Sequence, residues 1–511
     1  MAASDRVIRN SLFLYGKMGI TMFLSLYTTR LVLASLGATD FGVFNIVGGA
    51  IAMLSFLNFA LATAIQRFLS YAKGGGNKEK EKIVFNVGIM LHCCIACVVS
   101  LFLLVMGHFY FNGLLNIPED RVNAAIIVYG ALIVNTFFTI ISAPYDAAIN
   151  ANENMLFYSV FGVVESFLKF GVALAVAWTV ADKLVLYGIL MSSIALVYTG
   201  SMIAYCHSKY EECVIDICLC RDGDMFKQLI SYIGWNLLST SAITFTNYGL
   251  GIVVNMFFGV LLNTALGIAQ QIDTMLNTFS NNMLKALNPI IMKKGGEGNT
   301  EGMLRVSLTG SKFSFYLFSF FVVPAFINME FIQEVWLGEV PTGAVEFCRL
   351  QLITSLISQL GAALNPAIFA QGNIKSFSIG TTTIYGLSIL STYLMFHYGL
   401  PVYSMYISVI MLNVVAYRIL ALMVLKEKCG LSFLQYRDSV LFPCLLVFLF
   451  SFIPSYCISL RFDEKLIRFL VSGMVSVLLF GISFFTIGTS KAEKSLLLSF
   501  VSKSYKKYIA K

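Results

Sequence analysis

Charge is what this sequence has least of. Only 12% of its 511 residues are Asp, Glu, Lys or Arg, too few to cover the surface of a soluble protein of that size. It has four histidines, and none falls in an H-E-x-x-H arrangement or beside an acidic cluster, which excludes a zinc hydrolase of that type. Gly74-Gly75-Gly76 is followed by Asn77-Lys78, without the G-x-x-x-x-G-K-[ST] spacing or the preceding strand of a nucleotide-binding loop. Of the eleven cysteines, Cys213, Cys218 and Cys220 are spaced C-x4-C-x-C, which fits no common zinc site. Long polar loops are also missing. The largest run over about 328–344, 207–227 and 285–307, leaving no room for the exposed catalytic domain of a membrane glycosyltransferase or polymerase. No enzyme activity, cofactor or metal is therefore expected.

What the chain has is apolar length. Hydrophobic residues make up 58% of it, in recurrent runs of about 20 residues, enough to cross the hydrocarbon core as helix. The strands of a membrane barrel would instead read as shorter alternating segments. Fourteen spans are predicted, at roughly 10–34, 41–66, 83–107, 122–145, 155–180, 184–206, 228–256, 260–284, 308–328, 345–370, 376–397, 402–424, 438–460 and 466–488. The fold class is an all-α integral membrane protein with two repeated six-helix lobes plus two extra C-terminal helices. The expected divisions are an N-terminal lobe (1–207), a cytoplasmic linker (208–227), a C-terminal lobe (228–425), the two extra helices (438–488) and a cytoplasmic tail (489–511). The first apolar stretch is of full spanning length and lacks a small-residue cleavage site, so no cleavable signal peptide is expected. In the tail, Leu497, Leu498, Phe500, Val501 and Tyr505 alternate loosely with Lys503, Lys506 and Lys507, the pattern of a short interfacial helix.

The repeat is visible in two places. Pro144, in the last turns of span four, precedes Ala151-Asn152; Pro366, in span ten, precedes Gly372-Asn373. The prolines are 222 residues apart. The turn Ala72–Asn77 likewise matches Lys293–Asn299, at an offset near 220. Like halves of this kind are typical of transporters whose site lies where the repeats meet. Orientation follows from the loops. With the N-terminus inside, 25 of the 35 Lys and Arg residues fall on the cytoplasmic side and five outside, so both termini are expected to be cytoplasmic. The net charge of +8 then faces anionic lipid and implies no nucleic acid.

Polar groups inside the spans are the remaining chemistry, because an embedded charge is costly and usually faces a cavity or the bundle interior. Arg30, Arg67, Arg349 and Arg418 lie toward span ends, where a long side chain can snorkel to the interface. Lys17 is about seven residues inside span one, roughly 10 Å of helix. Glu165 and Lys169, near the middle of span five, are spaced i, i+4 and can pair; they are either a self-satisfied structural pair or an anion site whose charge Glu165 sets. Asp273, in span eight, has no basic residue one turn away and is either a hydrogen-bonded packing group or a coupling carboxylate. Its neighbours Asn263, Gly267, Gln270, Thr274, Asn277 and Asn281 fall on one helical face, as do Asn236, Thr240, Thr244, Asn247, Gly251 and Asn255 in span seven. Spans one and two add Tyr15, Asn45, Ser55, Asn58 and Gln66 less regularly. Such stripes glue helices together or, where they are wet, hydrogen-bond sugar hydroxyls, while Lys and Arg suit phosphate.

These features together resemble the multidrug/oligosaccharidyl-lipid/polysaccharide (MOP) exporter superfamily, and within it the polysaccharide-export branch of Wzx-type O-antigen flippases. The resemblance is carried by Gly16-Lys17 in span one, its exit through Leu33–Gly42, the proline-bearing span four leading to Ala151-Asn152-Glu153-Asn154, and the repeat of that segment from Asn365-Pro366 to Gln371-Gly372-Asn373. It implies two lobes alternating between inward- and outward-facing states in a bacterial inner membrane. The implied cargo is an undecaprenyl-pyrophosphate-linked oligosaccharide, with its tail in the lipid bilayer and a glycan polymerase as pathway partner. Lys17, Arg30, Lys169, Arg418, Asn236, Asn247, Gln270 and Asn277 would then bind substrate, and Glu165 and Asp273 would couple transport to a gradient. A lipid II flippase, a drug/cation antiporter of the same superfamily and a membrane-embedded glycan polymerase or ligase are the alternatives.

Overall fold

The computed structural model describes residues 3–52, 55–111, 119–216, 218–219, 222–491 and 493–495. The interfacial helix expected over 497–507 lies outside the described residues. Those described are almost wholly helical: α1 (Ala3–Ala52), α2 (Ser55–Gly74), α3 (Lys78–Phe109), α4 (Val122–Ala151), α5 (Met155–Trp178), α6 (Lys183–Lys209), α7 (Gly223–Gly296), α8 (Thr300–Ile327), α9 (Met329–Leu337), α10 (Ala344–Gln359), α11 (Leu364–Ala370), α12 (Lys375–His397), α13 (Ser404–Cys429), α14 (Phe433–Ser459) and α15 (Lys465–Gly488). Among the described residues, eleven helices are long and apolar enough to span a bilayer, or twelve when α10 and α11 count as one bent span. The protein is therefore a multi-pass, all-α membrane protein. The two expected spans that fall short of that measure are the second and the eighth. Residues 260–284 are helical, but their amides dilute the apolar run; in 41–66 the description is interrupted at 53–54.

The chain forms two compact units, Asn10–Ser241 and Ala242–Lys511 with Met1–Arg9. In the N-terminal unit α4 is the central helix, packed by α2, α3 and α6. Small residues let these helices approach closely: Gly107 lies against the Tyr129 ring and Gly188 against Val128. Buried polar groups there find backbone partners, as Tyr129 does at the Leu103 carbonyl (2.7 Å) and Ser192 at the Ala131 carbonyl (2.6 Å). In the C-terminal unit α8 is flanked by α10, α14 and α15. The two extra helices contribute buried serines at helical spacing, Ser451, Ser455 and Ser459 from α14 and Ser472 and Ser476 from α15. Lys312 of α8 pairs with Glu493 beyond α15 at 2.7 Å, and Asn328 donates to Ser472 at 2.9 Å.

The repeat is written in the backbone. α1 breaks at Gly37 (φ 76°) and α7 at Gly259 (φ 77°), 222 residues on. Both are in a region that glycine enters without steric cost. The turns before α3 and α8 match bond for bond. Asn77 caps α3 by accepting from the Lys80 amide, and its own amide donates to the Ala72 carbonyl; Asn299 caps α8 from the Gly302 amide and donates to the Lys294 carbonyl. These pairs fix the offset of this turn at 222, rather than the 220 read from the glycines alone.

The proline helices diverge. Pro144 sits inside a continuous α4, whereas the helix carrying Pro366 is bent by 44° between α10 and α11. Proline withdraws one helical donor in both. In the second, Arg418 of α13 enters the break: it donates to the Ser358 carbonyl at 2.7 Å and occupies the space over Gly361, whose Cβ would lie 1.4 Å from Nη1.

Candidate functional site

In the N-terminal unit, Tyr158, Gly162, Glu165 and Lys169 are spaced 4, 3, 4 and share one face of α5. Lys17 of α1 lies along it. Its Nζ stands 3.9 Å from the centroid of the Tyr158 ring, a cation–π contact. Its end fills the notch over Gly162, where a Cβ would fall 2.2 Å from Cε and 2.4 Å from Nζ. Further along the same helix pair, Tyr27 contacts Phe170 (5.8 Å). Glu165 pairs with Lys169 at 2.6 Å, both partly exposed. Among the described residues Glu165 makes no ion pair to Lys17, so Lys17 carries its charge against a ring and a glycine. Lys17, Lys169 and Glu165 share this face, and Asp146 of α4 acts on Tyr198 together with Glu165 and Tyr158. Arg30 is on α1 too, but thirteen residues from Lys17, about 20 Å along the helix, and is exposed; it does not join the group.

The C-terminal unit holds a different constellation. Asp273 accepts from Asn277 Nδ2 (2.9 Å) on one oxygen and from Gln351 Nε2 (3.1 Å) on the other. The Asn277 oxygen accepts from Gln359 Nε2 (2.6 Å), and the Gln359 oxygen from Ser314 (2.6 Å). The result is one chain, Ser314→Gln359→Asn277→Asp273←Gln351, in which Gln359 and Asn277 both donate and accept and Gln351 donates. No basic side chain pairs with Asp273 among the described residues. At the 222 offset, Asp273, Gln351 and Gln359 correspond to Ile51, Tyr129 and Phe137, so the carboxylate–amide chain is a property of this unit alone.

The stripes divide by use. Asn236 is buried and donates to the Ala60 carbonyl and to Thr63, both at 2.9 Å, joining the start of α7 to α2. It works there as interhelical glue. Asn247, Asn255, Gln270 and Asn281 are exposed within their unit. The hydroxyls of Thr274 and Thr278 bond back to helix carbonyls, and Asn277 is engaged with Asp273 and Gln359. The side chains of Asn45, Ser55, Asn58 and Asn263 lie outside the described residues. Arg67, read as able to snorkel, is instead buried, with its guanidinium 4.3 Å from the Phe68 ring and 5.0 Å from that of Tyr71. Arg418 holds the break in α10–α11 through the Ser358 carbonyl, beside Gln359, and among the described residues makes no hydrogen bond to the Asp273 chain itself.

Outside the spans, Lys73 reaches Glu81 (2.9 Å) and Glu212 (2.8 Å), and Asn152 donates to Glu212 (2.7 Å). Burial alone would depress the Lys73 pKa, but its bonds to Glu212 and Glu81 raise it. This network pins the segment after α6 to the turns that follow α2 and α4.

Sequence reasoning missed Tyr158 and Gly162, which have no signal apart from the lysine they accommodate. It also missed Gln351 and Gln359, although Gln351, Ser355 and Gln359 recur at intervals of four in span ten.

No known protein-family profile matches the chain. It is 27% identical over 124 residues to the uncharacterized membrane protein EpsK of Bacillus subtilis (strain 168), a stretch covering 23% of this chain and 24% of that protein. Solved structures share its fold over most of its length. An outward-facing multidrug resistance MATE family transporter of the MOP superfamily is 14% identical, with a TM-score of 0.71, over 84% of this chain and 96% of that one. A MATE protein in the bent conformation is 16% identical, with a TM-score of 0.72, over 83% and 95%. A MOP superfamily transporter from Pyrococcus furiosus, whose binding pocket is described as reversed in polarity, is 14% identical, with a TM-score of 0.71, over 83% and 96%. The chain thus has the MATE fold.

Proposed function

We propose that this protein is a transporter rather than an enzyme, and that it flips a lipid-linked oligosaccharide, joined through pyrophosphate to an undecaprenyl carrier, across a bacterial inner membrane by alternating access. The observation that carries this reading is the face of α5 on which Lys17 of α1 and Lys169 both stand inside hydrophobic spans, Lys17 over the Tyr158 ring and without an ion pair among the described residues. An anionic headgroup is the cargo such a face attracts, and a cation in a partly desolvated site binds it better than one in bulk water. The exposed amides Asn247, Gln270 and Asn281 suit the hydroxyls of a glycan. Both termini are assigned to the cytoplasm from the loop charges, and the last enzyme-side partner would be a polymerase acting on the exported unit.

A cation-coupled drug antiporter is the second reading. It is favoured by Asp273, an intramembrane carboxylate held by amides with no basic partner. The two readings join if Asp273 supplies the coupling for an anionic cargo. Reconstitution tests them. Proteoliposomes holding the protein should move a fluorescent undecaprenyl-pyrophosphate oligosaccharide between leaflets, and inorganic pyrophosphate should compete. Movement of organic cations instead, with no effect of pyrophosphate, would select the antiporter.

A further inference from the structure

Lys17 lies where an ordinary residue at position 162 would not let it lie. A Cβ on Gly162 would meet Cε at 2.2 Å, Nζ at 2.4 Å and Cδ at 3.1 Å. All three, the nearest atoms to that Cβ, belong to the end of one flexible side chain. α5 itself has no conformational need for glycine here, since Gly162 is not among the residues with positive φ. Filling the notch would therefore leave the helix intact, or slightly firmer by propensity, and displace the lysine. On the other side Tyr158, one turn earlier, holds the ammonium at 3.9 Å. We infer that Gly162 is a positioning residue for the anion site: with Tyr158 it lays Lys17 flat along α5, one turn from the Glu165–Lys169 pair, so that both lysines serve one headgroup. The inference rests on the anionic-cargo reading for its purpose, but not for its geometry.

The test uses the full-length protein in proteoliposomes and a water-soluble amine reagent, with modification of Lys17 quantified by peptide mass mapping. Gly162→Ala is expected to raise the rate at Lys17 by about tenfold, as loss of a cation–π contact and its packing exposes the amine. It should leave the midpoint of thermal unfolding unchanged or slightly higher. Tyr158→Leu, which keeps the notch but removes the ring, should also raise the rate, and serves if Gly162→Ala does not fold. Flipping should fall in both variants. An unchanged rate at Lys17 in folded Gly162→Ala overturns the inference. Should the rate rise in the variants while inorganic pyrophosphate fails to protect Lys17 in the native protein, the positioning stands and the anionic-cargo reading falls.

Discussion

Replacing Lys169 separates attraction of cargo from stability of the fold. The Glu165–Lys169 pair is spaced i, i+4, with side chains about 30% and 42% exposed, so solvent screens it. Such pairs contribute roughly 0.5 kcal/mol to a helix in water. The drier site raises that figure, but exposure on both sides keeps the fold cost of Lys169→Ala near 1 kcal/mol. The headgroup loses more. A hydrogen bond to a charged group contributes about 2 kcal/mol, which is about thirtyfold in affinity. The unpaired Glu165 then repels the anion as well. Flipping measured by dithionite quenching in proteoliposomes should therefore fall at least about thirtyfold, with almost no change in unfolding temperature. The double variant Glu165→Gln/Lys169→Ala removes the repulsion and should recover part of the loss, and Lys169→Arg should retain function. If the double variant and Lys17→Ala both flip cargo at the native rate, the embedded cations are structural and the argument fails.

Asp273→Asn should leave the protein folded and able to bind cargo but uncoupled, visible as flux that no longer responds to an imposed proton gradient; a preserved response would dismiss Asp273 as the coupling group. Gly361→Ala places a methyl 1.4 Å from Arg418 Nη1 and should expel the guanidinium from the α10–α11 break, at a cost of about 2 kcal/mol in a thermal unfolding assay; an unchanged midpoint would show that the break does not depend on Arg418. Reporter fusions after Lys78 and Lys294 should read cytoplasmic and one near Gly338 external, and a consistent reversal would overturn the orientation.

The features legible in the sequence were those with a period or an offset. Apolar runs gave the helices because hydrocarbon thickness sets their length. The 222-residue offset between Pro144 and Pro366 located a repeat that the structure repeats at Gly37 and Gly259 and at Asn77 and Asn299. The site was legible only in part, because the same residue types serve as glue and as contact surface. Asn236 and Asn247 are alike in the sequence, and only packing separates the amide bonded into α2 from the exposed one. Arg67 and Arg418 looked able to snorkel from their distance to a span end. Tyr71 beside the first and the helix break beneath the second turned both inward. The repeat adds an argument that composition does not. At one pair of corners, Arg121 bridges Asp40 and Asp182 in one unit, while the counterparts of Arg121 and Asp40 at the 222 offset, Gly343 and Leu262, lie against each other in the other. The same substitution of charge for apolar contact recurs at another corner, where Lys73 and Glu81 correspond to Gly295 and Met303. One scaffold thus tolerates either chemistry at a given place. The carboxylate–amide chain around Asp273 is then not a requirement of the fold, which has been built without a charge or amide at positions 51, 129 and 137. What the fold does not require is open to function, and the proposed specificity rests on Lys17, Lys169 and Asp273.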